Sequence, residues 1–136
     1  MLPINSMQII HDILRTSTSI AVVGFSPKES RPSHIVGKYL IEAGFRVYPV
    51  NPGMNEILGH VCYPDLFSIP DPIDVVDIFR RSEEVTPLVE AAIRIGAKVI
   101  WMQQGISNQE AADLAEKSGL QVVMDRCIKI DHMQMV

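Results

Sequence analysis

Cysteine is scarce in this sequence. Only Cys62 and Cys127 occur, far apart and in no CxxC pair. A redox or zinc pair of that kind is therefore absent, and both thiols are expected to be reduced. Basic charge is not in excess either. Twelve Lys and Arg face sixteen Asp and Glu, a formal net charge of −4, so no global positive field marks a nucleic-acid binder. Long apolar runs are missing too. No stretch approaches the roughly 20 apolar residues of a membrane span, and MLPINSMQIIHDILR lacks a signal peptide's continuous apolar core. The expectation is a cytoplasmic protein that uses neither a membrane nor a nucleic acid. Its 136 residues, 47% of them hydrophobic, suit one domain (residues 1–136) with one core.

What is present alternates. Ser6 caps a first helix with Ile9, Ile10, Ile13 and Leu14 at helical spacing, ending near Arg15. Ile20–Gly24 (IAVVG) is a short, continuous apolar run of the kind that parallel sheets bury on both faces. Ser33 caps the next helix, which turns Ile35, Val36, Tyr39, Leu40 and Ala43 inward and stops at Gly44. RVYPV (46–50) is a second strand, weakened near its end by Pro49. Residues 57–63 hold a short edge strand and residues 65–69 a helical turn. IDVVDIF (73–79) is a strand and residues 83–95 a helix that Gly96 ends. KVIWM (98–102) is a strand, Ser107-x-x-Glu110 opens a helix as a capping box, and residues 120–124 form a last strand. The Met-rich tail gives no clear element. The fold class is α/β, a Rossmann-like three-layer domain with a mostly parallel sheet of about five to six strands.

In open α/β sheets the ligand crevice lies beyond the carboxyl ends of the strands, where strand order reverses. The stretch VVGFSPKESRPS ends a buried strand, turns at Gly24 and enters a helix. That is where such a fold holds phosphates. Two of the three glycines of the dinucleotide fingerprint are lacking, since Ser26 and Glu29 stand in their places. No acid ends the second strand, where NAD's ribose needs one; Val50, Asn51 and Pro52 stand there. Lys28 and Arg31 supply positive charge instead. Asn51-Pro52-Gly53 fits a ligand contact and a plain turn equally well. Arg80, after the IDVVDIF strand, suits a phosphate, whereas Arg81 reads as solvated. Trp101 reads as core, and Gln103 lies just past a buried run.

Together the stretches VVGFSPKESRPSHIVGKYL, YPVNP, ILGHVCYPDL, IDVVDIFRR and WMQQGISNQEAADLAEKSGLQVVMDRCIKIDH resemble the CoA-binding domain family in its small stand-alone form. They are more distantly similar to the CoA-binding domain of the succinyl-CoA synthetase α subunit. The resemblance covers roughly residues 19–132. It implies a domain that binds coenzyme A or acyl-CoA. The implied cofactor-binding residues are Gly24, Phe25, Ser26, Lys28, Arg31, Pro32 and Ser33 in the first turn. Asn51 and Pro52 follow in the second, then Phe79 and Arg80, then Gln103 and Gly105. CoA carries a 3′-phosphate that a ribose-binding acid would repel and that Lys28, Arg31 and Arg80 would attract.

The synthetase's phosphohistidine segment has no match at His11, His34, His60 or His132. No metal-ligand spacing and no nucleophile–base pair is recognisable either. Cys62 and Cys127 read as small packing residues, although a mixed disulfide of either with CoA is conceivable. The leading expectation is therefore non-enzymatic CoA binding with a small-molecule ligand. The competing readings are an NAD(P)-dependent oxidoreductase, a CoA-ligase component completed by another chain, and an interaction module that lost its ligand. The protein partner and the choice between monomer and homo-oligomer stay open.

Overall fold

A computed structural model describes residues 3–136. Five parallel strands form the sheet: β1 (Ser19–Val23), β2 (Arg46–Val50), β5 (Val75–Ile78), β6 (Val99–Met102) and β7 (Gln121–Val123). Their spatial order is β2-β1-β5-β6-β7, so strand order reverses between β1 and β5. The five-to-six-strand, three-layer α/β expectation holds. β1, β5 and β6 are buried at every position, which is why they read as apolar runs without alternation.

Helices cover both faces. On one side, α1 (Met7–Thr16), α2 (Pro32–Glu42) and α5 (Ile128–Met133) bring Ile10, Ile13, Val36, Leu40 and Ile128 against Ile20, Val22, Val75 and Trp101. On the other, α3 (Val85–Arg94) and α4 (Gln109–Lys117) bring Val85, Val89, Ala92, Ala111 and Ala115 against Ala21, Val76, Ile78 and Ile100.

Four local expectations need correction. Residues 57–63 add no sixth strand. They hold a separate antiparallel hairpin, β3 (Glu56–Ile57) and β4 (His60–Val61). Its loop residues Leu58 and Gly59 both take positive φ, as a two-residue hairpin turn requires. A single bridge, Val50 to Tyr63, links this region to the sheet. In α2, Ile35 is 44% exposed and Ala43 is also exposed, while Ser33, His34 and Gly37 lie inward. The α4 cap is Asn108, whose Oδ1 accepts from Ala111 N at 2.9 Å; Ser107 lies one residue earlier. The tail folds into α5, anchored by Asp131 in two hydrogen bonds from Arg126, at 2.8 and 2.6 Å.

The segment before α1 closes onto the last strand. Asn5 donates from Nδ2 to Met124 O at 2.7 Å and accepts Met124 N at 2.9 Å. Its carboxamide thus imitates the next peptide of a strand.

Candidate functional site

The carboxyl ends of β1, β5 and β6 deliver Gly24, Phe79 and Gln103 to one edge of the sheet. Gly24 sits at the reversal point with φ +88°. Its N–H donates to Val50 O at 2.9 Å. A Cβ here would lie 2.5 Å from Phe79 O, so any side chain would run into fixed backbone and only glycine fits.

The loop after Gly24 is held from below by side chains that the sequence assigned to the ligand. Ser33 is not a helix cap. It lies inside α2 after Pro32, the first helical residue, and its Oγ accepts Ser26 N at 2.9 Å. Asn51 donates from Nδ2 to Phe25 O at 2.9 Å and accepts Gly53 N at 2.9 Å. His34 Nδ1 lies 2.8 Å from Ser26 O, and since a carbonyl only accepts, the proton sits on Nδ1. Ser26 Oγ accepts Lys28 N at 3.1 Å and keeps its own hydroxyl proton to donate. Phe25 is a core residue, wholly buried, packed edge-on to His34. A Cβ on Gly37 would fall 2.2 Å from its ring, which explains a glycine in mid-helix. Phe25 and Asn51 shape the loop from behind, while Ser26 and Ser33 both brace it and face the cleft.

What the loop frames is a cleft of about 660 Å³. Gly24, Ser26, Lys28, Arg31, Pro32, Ser33, Phe79, Arg80 and Gln103 line it, nine of the thirteen residues expected from sequence. Four unexpected residues join them: Val36, Gln104, Ile106 and Cys127. Pro52 faces a second cavity of about 470 Å³, which also shares Gly24 and Arg80 and is walled by Val50, Leu66, Phe67 and Leu88. Phe25, Asn51 and Gly105 line neither cavity. Gly105 instead donates its N–H to Asp125 Oδ1 at 2.7 Å.

Charge at the cleft is local. Lys28 and Arg31 are exposed and have no ion-pair partner among the described residues. Arg80 joins Glu84 at 2.8 Å, half exposed, so an incoming anion competes with a carboxylate for it. Arg81 is more exposed and holds Glu83 and Glu84 only loosely, at 4.0 and 3.7 Å. The start of α2 adds its positive dipole end. The arrangement suits a phosphorylated ligand with an apolar portion.

Two expectations about buried groups separate here. Cys62 is buried, and burial pushes its thiol pKa up. Cys127 is not fully enclosed but opens on the cleft. Trp101 is core, its Nε1 donating to Arg126 O at 2.8 Å. Asp77, on β5, is wholly buried with both carboxylate oxygens unpartnered, and desolvation holds its pKa well above the usual range. Among the described residues no cluster of three or more His, Cys, Asp or Glu side chains could hold a metal ion. No helix there is long and apolar enough to cross a membrane.

The profile of the CoA binding domain matches residues 18–133. The chain belongs to the CoA binding domain family. This CoA-binding-family protein is 43% identical over 123 residues to the uncharacterized protein YneT of Bacillus subtilis, covering 90% of this chain and 91% of that one. It is 34% identical over 119 residues to acetate–CoA ligase [ADP-forming] I of Archaeoglobus fulgidus. That match takes in 80% of this chain but only 17% of the ligase. Among solved structures, a hypothetical protein from Pyrococcus horikoshii superposes with a TM-score of 0.93 at 42% identity. It covers 98% of this chain and 96% of that one. The sequence resemblance and the Rossmann-like fold are thereby established.

Proposed function

We propose that this protein is a non-enzymatic binder of coenzyme A or an acyl-CoA. The observation that carries the reading is the cleft at the β1–β5 reversal, where Lys28 and Arg31, with no ion-pair partner among the described residues, share the lining with an obligatory glycine. The pyrophosphate lies against Gly24, Ser26 and the start of α2. Lys28, Arg31 and Arg80 hold phosphate charge, the 3′-phosphate included. Phe25, Ser33, His34 and Asn51 act as positioning residues that fix the loop. The adenine takes the apolar cavity beside Pro52 and Leu66, and the pantetheine arm crosses Phe79 toward Gln103. Relatedness to the acetate–CoA ligase, of which this chain spans 17%, supports the ligand class.

Calorimetric titration with CoA, dephospho-CoA, NAD and NADP tests this. CoA is expected to bind more tightly than dephospho-CoA, with NAD and NADP weaker still. Preference for NAD or NADP would replace the reading with a nicotinamide-binding one.

A further inference from the structure

We propose that Cys127 is a thiol–disulfide exchange site for the CoA sulfur. The inference rests on the CoA reading of the cleft and adds a covalent step to it.

Of the two thiols, only Cys127 can serve. Cys62 is 6% exposed, points its S–H at Asn51 O 3.5 Å away, and lines neither cavity. Cys127 is part-exposed and forms part of the cleft wall beside Gln103 and Ile106.

A second observation marks the same end of the cleft as a ligand position. Gln103 is only 3% exposed. Its Oε1 accepts Ile128 N at 3.1 Å, next to Cys127. Its Nε2 has no acceptor among the described residues, yet the only sealed orphan polar atoms there are those of Asp77. The amide nitrogen is therefore not sealed, and on a residue that lines the cleft it has a hydrogen bond still to give. A buried amide in that condition wants an acceptor, and the pantetheine arm carries two amide carbonyls.

The reach fits. The chain after β7 folds back over the end of β6, where Arg126 N donates to Met102 O at 3.3 Å and Trp101 Nε1 donates to Arg126 O. Cys127 thus stands two strand positions from Gly24, a lateral offset of about 10 Å at about 4.8 Å per strand. The pantetheine arm has roughly as many chain atoms as four residues, so it spans about 13 Å when extended. With its phosphates at Gly24, the arm's sulfur arrives at Cys127 with little slack.

The step balances as follows. Cys127 gives its proton to solvent, and the thiolate attacks the CoA-bearing sulfur of a CoA disulfide, CoA–S–S–R. The Cys127–CoA disulfide bond forms, the bond to the R sulfur breaks, and R leaves as a thiolate that takes up a proton. One disulfide is consumed and one is made, with the CoA disulfide as the only oxidised reactant.

The test treats reduced protein with the symmetric CoA disulfide and, separately, with cystamine, which offers the same aminoethyl disulfide without the nucleotide. Intact-mass spectrometry and peptide mapping follow the products. CoA binding to the reduced wild type is measured calorimetrically in parallel. The expected result is one CoA adduct, on Cys127, forming at least about tenfold faster than the cystamine adduct and reversed by dithiothreitol. Cys127→Ser and Cys127→Ala should lose it, and Cys62→Ser should keep it. If CoA binds but the adduct forms no faster than with cystamine, or falls on Cys62, the exchange site is wrong and the CoA reading stands. If CoA neither binds nor modifies selectively, both fall together.

Discussion

Replacing Asp77 with Asn should change how stability depends on pH while leaving the fold in place. Asp77 lies on β5 between Val22 of β1 and Trp101 of β6, and neither neighbour offers charge or a hydrogen bond to its sealed carboxyl. The folded protein keeps Asp77 protonated because burial disfavours the charge. The unfolded chain releases that proton above about pH 3.9. Folding therefore takes up a proton at higher pH. The contribution of Asp77 to stability is complete below pH 3.9 and is lost as pH rises, until the folded group itself ionises. One proton is worth about 1.4 kcal/mol per pH unit. Between pH 4 and pH 6 the wild type should thus lose up to about 2 kcal/mol relative to Asp77→Asn, whose amide does not titrate. That is a large part of a typical domain's stability. Urea melts of both proteins at fixed ionic strength, at half-unit pH steps, give the difference directly, since the other titrating groups cancel. Parallel stability curves across that window would refute the argument and mean that the carboxyl has a partner or water at hand.

Gly24→Ala should be among the most damaging small substitutions. Positive φ adds about 1–2 kcal/mol, and the contact with Phe79 O adds strain of about 1–3 kcal/mol. A melting temperature lower by roughly 6–20 °C is expected by calorimetry. Lys28→Ala with Arg31→Ala should leave the melting temperature within a few degrees. It should weaken CoA binding about 10- to 100-fold and flatten its salt dependence, both read by titration at several ionic strengths. Glu84→Gln should release Arg80 and tighten CoA binding about two- to fivefold by calorimetry, since an exposed pair of this kind holds at most about 1 kcal/mol.

Strands buried on both faces announce themselves, and β1, β5 and β6 were legible to within two residues for that reason, while β2, an edge strand exposed at Arg46, was legible from RVYPV itself. The reversal point followed from the alternation of strands and helices, and with it the place of Gly24, Lys28 and Arg31. Side-chain hydrogen bonds did not follow. Ser33 and Asn51 have the right chemistry for a ligand, but tertiary packing turns them onto the backbone of residues 25 and 26. Phe25 looked like part of the loop because nothing in its neighbours reveals that Gly37 leaves room for its ring. α5 escaped because six residues are too few for a periodic signal and its anchor, Asp131, is an acid. Cys127 read as a packing residue first and a partner for a CoA disulfide second, since only the fold-back over β6 brings it to the cleft. Asp77 sits in an apolar run whose burial on both faces forces it inside.

The clasp between Asn5 and Met124 also bears on assembly. Sheet proteins associate most readily by adding a strand to an open edge. Here the end of β7 already carries a side-chain amide where a neighbour's backbone would pair. At the opposite edge, Tyr63 N donates to Pro49 O and Asn51 N to Tyr63 O, both at 2.9 Å, occupying the carboxyl half of β2. Two copies joining by continuation of the sheet would first have to break one of these closures. Self-association, where it occurs, is steered toward helix faces and away from fibre-forming edges.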